Sequence, residues 1–155
     1  MDTYSLLKTL HILSATVLIG AGTGIAFFMW MAHRSGTVAT IAAVSRLVVI
    51  ADWCFTAPAV LVQFASGLML ARMAGFALDA PWLLASIALF VVVGACWLPV
   101  VWLQIRARDL ACDAVRTGSA LPAAYHRTMR WWFALGWPAF MAVVVIVYLM
   151  VKKPV

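Results

Sequence analysis

Four apolar stretches, each about as long as a bilayer is thick, dominate this chain. They run over about residues 4–31, 46–70, 82–103 and 130–151. A helix rises ~1.5 Å per residue, so about 20 mostly apolar residues cross a hydrocarbon core of ~30 Å. Inside lipid every backbone N–H and C=O must be bonded within the protein, which leaves the helix as the natural form for such segments. The sequence therefore predicts an all-α, polytopic membrane protein: an antiparallel bundle of four transmembrane helices forming one domain over residues 1–155. Short links between spans impose the antiparallel order.

Composition agrees. Hydrophobic residues make up 66% of the 155 residues and charged residues 10%, against about 45–50% and about 25% in soluble domains. A soluble fold of this size cannot hide so much apolar side chain. Soluble globular, coiled-coil, disordered and nucleic-acid-binding classes are excluded on this ground. The net charge of +6 reads instead as Lys and Arg in cytoplasmic loops, facing anionic lipid headgroups. The first apolar run is too long for a signal-peptide core and lacks a basic leader, so it is expected to stay as a span. The chain has no Glu and no Asn, and of its five Asp only Asp52 falls inside an apolar run. Cys54, Cys96 and Cys112 are odd in number and scattered, a pattern of packing residues rather than of a disulfide or zinc framework.

The links carry their own signals. Gly36 is placed to stop the first helix, and Thr37 to Ser45 reads as a short mixed connection. Ala74-Gly75 and Asp79-Ala80-Pro81 bracket a tight turn. The longest link runs from Gln104 to Thr128, with an amphipathic helical continuation over Arg106 to Arg116, broken by Gly118-Ser119. One side of the membrane collects Arg34, Arg46, Arg106, Arg108, Arg116, Arg127 and Arg130, and the other Lys8, Arg72, Lys152 and Lys153. The richer side is expected in the cytoplasm. Both termini are then periplasmic, in a bacterial inner membrane.

Polar groups within a span are costly, so each calls for a reason. His11 lies two turns into the first span. The positions following it at helical spacing, Ser14, Ala15 and Gly22 among them, are small. Such a face admits either a neighbouring helix or a flat macrocycle. His11 is thus a candidate either for a hydrogen bond across a helix interface or for an axial haem ligand. His33 stands 22 residues on, ~33 Å along a helix, so it cannot share a haem with His11. Met69 or Met73, or a water, would have to supply a second ligand. In the second span, Asp52, Thr56, Ala59, Gln63, Ser66 and Gly67 fall on one helical face. That face should point inward. Pro58 frees a carbonyl near Cys54, to be satisfied by Thr56 or a neighbouring helix. Asp52 is expected to form a buried ion pair, with Arg130 first and Arg46 second, since an unpaired carboxylate at that depth is expensive.

The runs Leu7-Lys8-Thr9-Leu10-His11, Ala51-Asp52-Trp53-Cys54-Phe55-Thr56-Ala57-Pro58, Cys96-Trp97-Leu98-Pro99 and Gly136-Trp137-Pro138-Ala139-Phe140 resemble a bacterial membrane family catalogued as domain of unknown function 2269. A more distant resemblance links the layout to HemJ-type protoporphyrinogen oxidases and CopD-like membrane proteins. It rests on Lys8 with His11, Pro58 with Gly67, Arg130 with Pro138, and Lys153-Pro154. That resemblance implies a haem b or porphyrin contact at His11. The chain departs from the HemJ pattern at Ser86, where that type has a lysine, and in lacking an Asn-Glu pair before the last helical proline.

Three functions compete at this level. One is a small haem- or porphyrin-associated protein in membrane redox or haem-related chemistry, with His11, Ser14, Ala15, Gly22 and Met69 around the cofactor. Another is a metal- or proton-coupled transport module using Asp52, Gln63 and Ser66, with Met69 and Met73 as soft ligands. The third is an assembly protein without a small-molecule site, forming a homo-oligomer through Gly20 and Gly24.

Overall fold

The computed structural model describes residues 2–153 and contains, among them, five α-helices, one π-helical turn and no strand. Helix α1 covers Thr3–Ser35. Asp2 caps it by accepting the Ser5 N–H at 2.8 Å, which satisfies one of the orphan donors of a first turn. The same Ser5 hydrogen bonding holds the exposed Asp2 carboxyl below its ordinary pKa. Its capping contribution is therefore present above the usual carboxylate range and fades as pH falls through the depressed value. Gly36 ends α1 in the left-handed region at φ 68°, a conformation that favours glycine.

The second span is one helical rod of three parts: α2 (Val38–Ala51), the π-turn (Asp52–Thr56) and α3 (Ala57–Met73). The expected mixed connection over Thr37 to Ser45 is thus helical from Val38. Ile41, Ala42 and Ser45 are buried there at helical spacing, so packing extends the helix past its most apolar part. Pro58 accounts for the π-turn. It has no N–H for the carbonyl four residues back, and the backbone widens so that the Ala57 N–H bonds the Asp52 carbonyl. Thr56 does not take the freed carbonyl, as its hydroxyl is buried without a hydrogen-bond partner.

Helix α4 covers Pro81–Thr117 and α5 covers Ala123–Lys152. The expected continuation over Arg106 to Arg116 is unbroken helix, and Gly118 ends it at φ 64°. The long link predicted from Gln104 to Thr128 shrinks to Gly118–Pro122. The helices are longer than the apolar windows they contain. Arg108–Asp109 and Arg116–Asp113 ion pairs, at 2.8 and 3.1 Å, decorate this outer part of α4.

Among the described residues four rods are long and apolar enough to span a bilayer, at 33, 36, 37 and 30 residues. The fold is all-α and polytopic. The chain parts into two compact units, Met1–Ala77 and Leu78–Val155. In the first, α1 packs antiparallel to α2 and α3: Ser45 donates to the Met29 sulfur at 3.5 Å near one end, and His11 meets Ser66 near the other. In the second, α4 and α5 form a helical hairpin. Ala107, Ala111 and Ala114 are buried towards its closed end, as are Tyr125, Thr128 and Met129. Small residues allow this close approach, which matters in lipid, where packing rather than water exclusion holds helices together. Large apolar side chains point outward all along the rods, such as Leu61, Leu98 and Val151 at 73, 65 and 81% exposure.

Candidate functional site

The first unit brings the polar residues of two spans into one cluster. His11 and Ser14 come from α1, and Gln63, Ser66 and Gly67 from α3. The His11 Nδ1 lies 2.9 Å from Ser66 Oγ. Ser66 Oγ itself donates to the Val62 carbonyl at 2.5 Å, the back-bond common for helical serines. A hydroxyl has one proton. With that proton spent on Val62, Ser66 can only accept from His11, so Nδ1 carries a hydrogen. In the neutral ring Nε2 is then a lone pair. The Gln63 side-chain nitrogen sits 3.1 Å from Nε2 and donates to it. The Gln63 amide oxygen accepts in turn from Ser14 Oγ through a short bond. Ser14 Oγ also lies 2.9 Å from the His11 carbonyl.

Gly67 gives the imidazole its resting place. A Cβ built there would lie 3.1 Å from His11 Cε1, closer than a carbon contact tolerates without movement. The absence of a side chain at Gly67 thus lets the Cε1 edge of the ring come close to α3. Ser14 and Ser66 are buried at 6 and 2% exposure, while His11 and Gln63 are half-buried.

Of the residues expected around a cofactor, only His11 and Ser14 belong to this cluster. Ala15 is half-buried on α1, Gly22 is exposed, and Met69 and Met73 are exposed at 52 and 48%. No atom lies within 4 Å of a Cβ built at Gly20, Gly22 or Gly24, so α1 has room for a side chain at each of these positions. Asp52 is buried at 4% exposure on the π-turn. Arg46 and Arg130, the arginines expected to neutralise it, are both exposed. Among the described residues no three of His, Cys and Asp converge as metal ligands.

The cluster fits an iron poorly. An axial histidine presents a free ring nitrogen and has its other N–H held by an acceptor. Ser66 meets the second condition, but the Gln63 amide occupies Nε2. We expect protein purified from cells supplied with iron and haem precursor to show no Soret band. A stoichiometric band that disappears in His11→Ala would show that the Gln63 amide gives way to haem.

Sequence reading had the two halves of this site without joining them. With the chain turning at Gly36 and Thr37 rather than across the expected link to Ser45, the antiparallel partner of residue 11 lies near residues 62–66, where Gln63 and Ser66 stand.

These features define a multi-pass membrane protein with an intramembrane histidine cluster between its first two spans. The chain belongs to the family described as predicted integral membrane protein DUF2269, whose model matches residues 5–154. No curated protein and no solved structure matches it.

Proposed function

We propose that the chain is a small proton-coupled transport module of the bacterial inner membrane, with His11 as its proton-binding group. One observation carries this reading: an imidazole inside a span whose Nδ1 meets the Ser66 hydroxyl and whose Nε2 meets the Gln63 amide rather than a fixed charge. Intramembrane ionisable residues mark ion and proton pathways, and histidine changes charge near neutral pH. The buried face from Asp52 and Thr56 to Gln63 and Ser66 supplies polar groups along the same rod.

The placement of cations supports the orientation. Arg34 lies over Trp30 and Arg106 over Trp102, each 5.3 Å from the ring centroid, at one pair of span ends. Lys8 over Tyr4 and Lys152 over Tyr148, at 6.0 and 5.6 Å, mark the other pair. Such cation–aromatic pairs sit at headgroup level. His11 is then seven residues inside Tyr4, ~10 Å deep. The arginine-rich ends belong in the cytoplasm by the positive-inside rule, and both termini in the periplasm. An open groove lined by Arg127, Arg130 and Trp131 suits anionic headgroups on the cytoplasmic side.

The test is proton flux in vesicles. The purified protein is reconstituted with an entrapped pH-sensitive dye, and a pH gradient is imposed. We expect flux well above that of protein-free vesicles and a fall of about a hundredfold in His11→Gln, the size typical for loss of a positioned proton acceptor. Flux from the native protein no greater than from empty vesicles would refute the reading.

A further inference from the structure

The hydrogen bonds around His11 can be completed in two ways, and we infer that Gln63 is a rotating amide that exchanges between them as His11 gains and loses its proton. This rests on the proton-site reading and adds a mechanism to it.

In the neutral state the donors run one way. Ser14 donates to the Gln63 oxygen, the Gln63 nitrogen donates to His11 Nε2, and His11 Nδ1–H donates to Ser66. When a hydronium ion gives its proton to the Nε2 lone pair, Nε2 becomes a donor and faces an amide nitrogen that is also a donor. Two donors cannot bond. A half-turn of the Gln63 amide about its last single bond exchanges its nitrogen and oxygen. Nε2–H then donates to the Gln63 oxygen, and the Gln63 nitrogen donates to Ser14 Oγ.

That leaves the Ser14 proton, which needs a new acceptor. The His11 carbonyl is already in place, 2.9 Å from Ser14 Oγ. Without it the charged state would hold an orphaned hydroxyl proton, at a cost comparable to a lost hydrogen bond. The Ser66 end is unchanged, since Nδ1 donates to Ser66 and Ser66 to Val62 in both states. Each state therefore satisfies every polar group of the cluster without moving a helix.

No fixed charge takes part. Among the described residues the ring bonds only to Ser66 and Gln63. Lys8, one turn away on α1, is exposed, as is Arg72 on α3. Asp52 and Cys54 of the π-turn precede Gln63 by eleven and nine residues, ~14–17 Å along the rod, and Arg46 of α2 lies further still. A salt-bridged histidine would be locked in one state, whereas an amide serves both.

The experiment is nuclear magnetic resonance of ¹⁵N,¹³C-labelled protein in lipid nanodiscs across a pH titration. At high pH we expect scalar coupling across the hydrogen bond between Gln63 Nε2 and His11 Nε2. It should vanish at the pH where the His11 ring resonances report protonation, with a simultaneous change at the Gln63 side-chain carbonyl. Coupling that persists through His11 protonation, or Gln63 resonances that do not respond, would overturn the relay and leave the proton-site reading standing. A His11 that takes no proton while the protein stays folded would overturn both. As a second readout, Gln63→Met keeps the side chain's length but has no amide. It should lose His11-dependent flux in vesicles, and native flux in that variant would also count against the relay.

Discussion

Gly67→Leu should abolish the His11 cluster and lower stability by about 2–4 kcal/mol, combining the usual cost of overpacking with that of orphaned polar groups. The first side-chain carbon already lies 3.1 Å from His11 Cε1. A full leucine has to drive the ring off α3, which breaks its bonds to Ser66 and Gln63 together. The loss is moderated because interhelical hydrogen bonds in lipid average only about 0.6 kcal/mol each. Gly67→Ala asks for a shift of a few tenths of an ångström and should be milder. Gly20→Leu is the control, since nothing lies within 4 Å of a Cβ there. Unfolding in mixed micelles, with His11 ring ¹⁵N shifts as the local probe, checks the series. Unchanged shifts in Gly67→Leu would mean that the imidazole does not rest on that glycine.

Deleting Leu61 should be the most damaging single change in the second span. Each residue of an α-helix turns the chain by ~100°. Removing one between the π-turn and Gln63 rotates Asp52 and Thr56 away from the face shared by Gln63 and Ser66. Either the cluster or the packing of α2 on α1 must then be given up. Deletion of Cys54 should behave differently, because a π-turn accommodates one residue more than the α-helix through the same space. Removing that exposed residue restores α-helical winding and keeps both flanking faces in phase. The remaining penalty comes from Pro58, now inside a regular helix, at about 3 kcal/mol. Adding Pro58→Ala should recover most of it. Folded yield and thermal unfolding of the two deletions give the comparison. Equal damage from both would show that the wide turn does not absorb a residue.

The spans were legible in the sequence because apolar length is a one-dimensional property. The stops at Gly36 and Gly118 were legible too, since each glycine adopts the left-handed backbone that other residues avoid. Helix beyond the apolar windows was legible only over Arg106 to Arg116, from its amphipathic pattern. Val38 to Ser45 and Ala123 to Met129 are less uniformly apolar, and only neighbouring helices show that they stay helical. The cluster was half legible. His11 stood out as a polar residue in a span, and Gln63 and Ser66 as part of a stripe. What linked them was a distance across two helices, fixed by the brevity of the Gly36–Thr37 turn. The tautomer of His11 lay beyond any sequence reading, because it depends on where the Ser66 proton goes.

The π-turn also makes the second span mechanically uneven. A regular α-helix is stiff, and bends concentrate where proline or a wide turn interrupts its ladder. Here both interruptions fall within seven residues, Asp52 to Pro58. Bending imposed on α2 is taken up in that compliant segment before it reaches Gln63. The second span is thus two stiff levers on a soft joint. The lever that holds the imidazole is insulated from forces acting on the other.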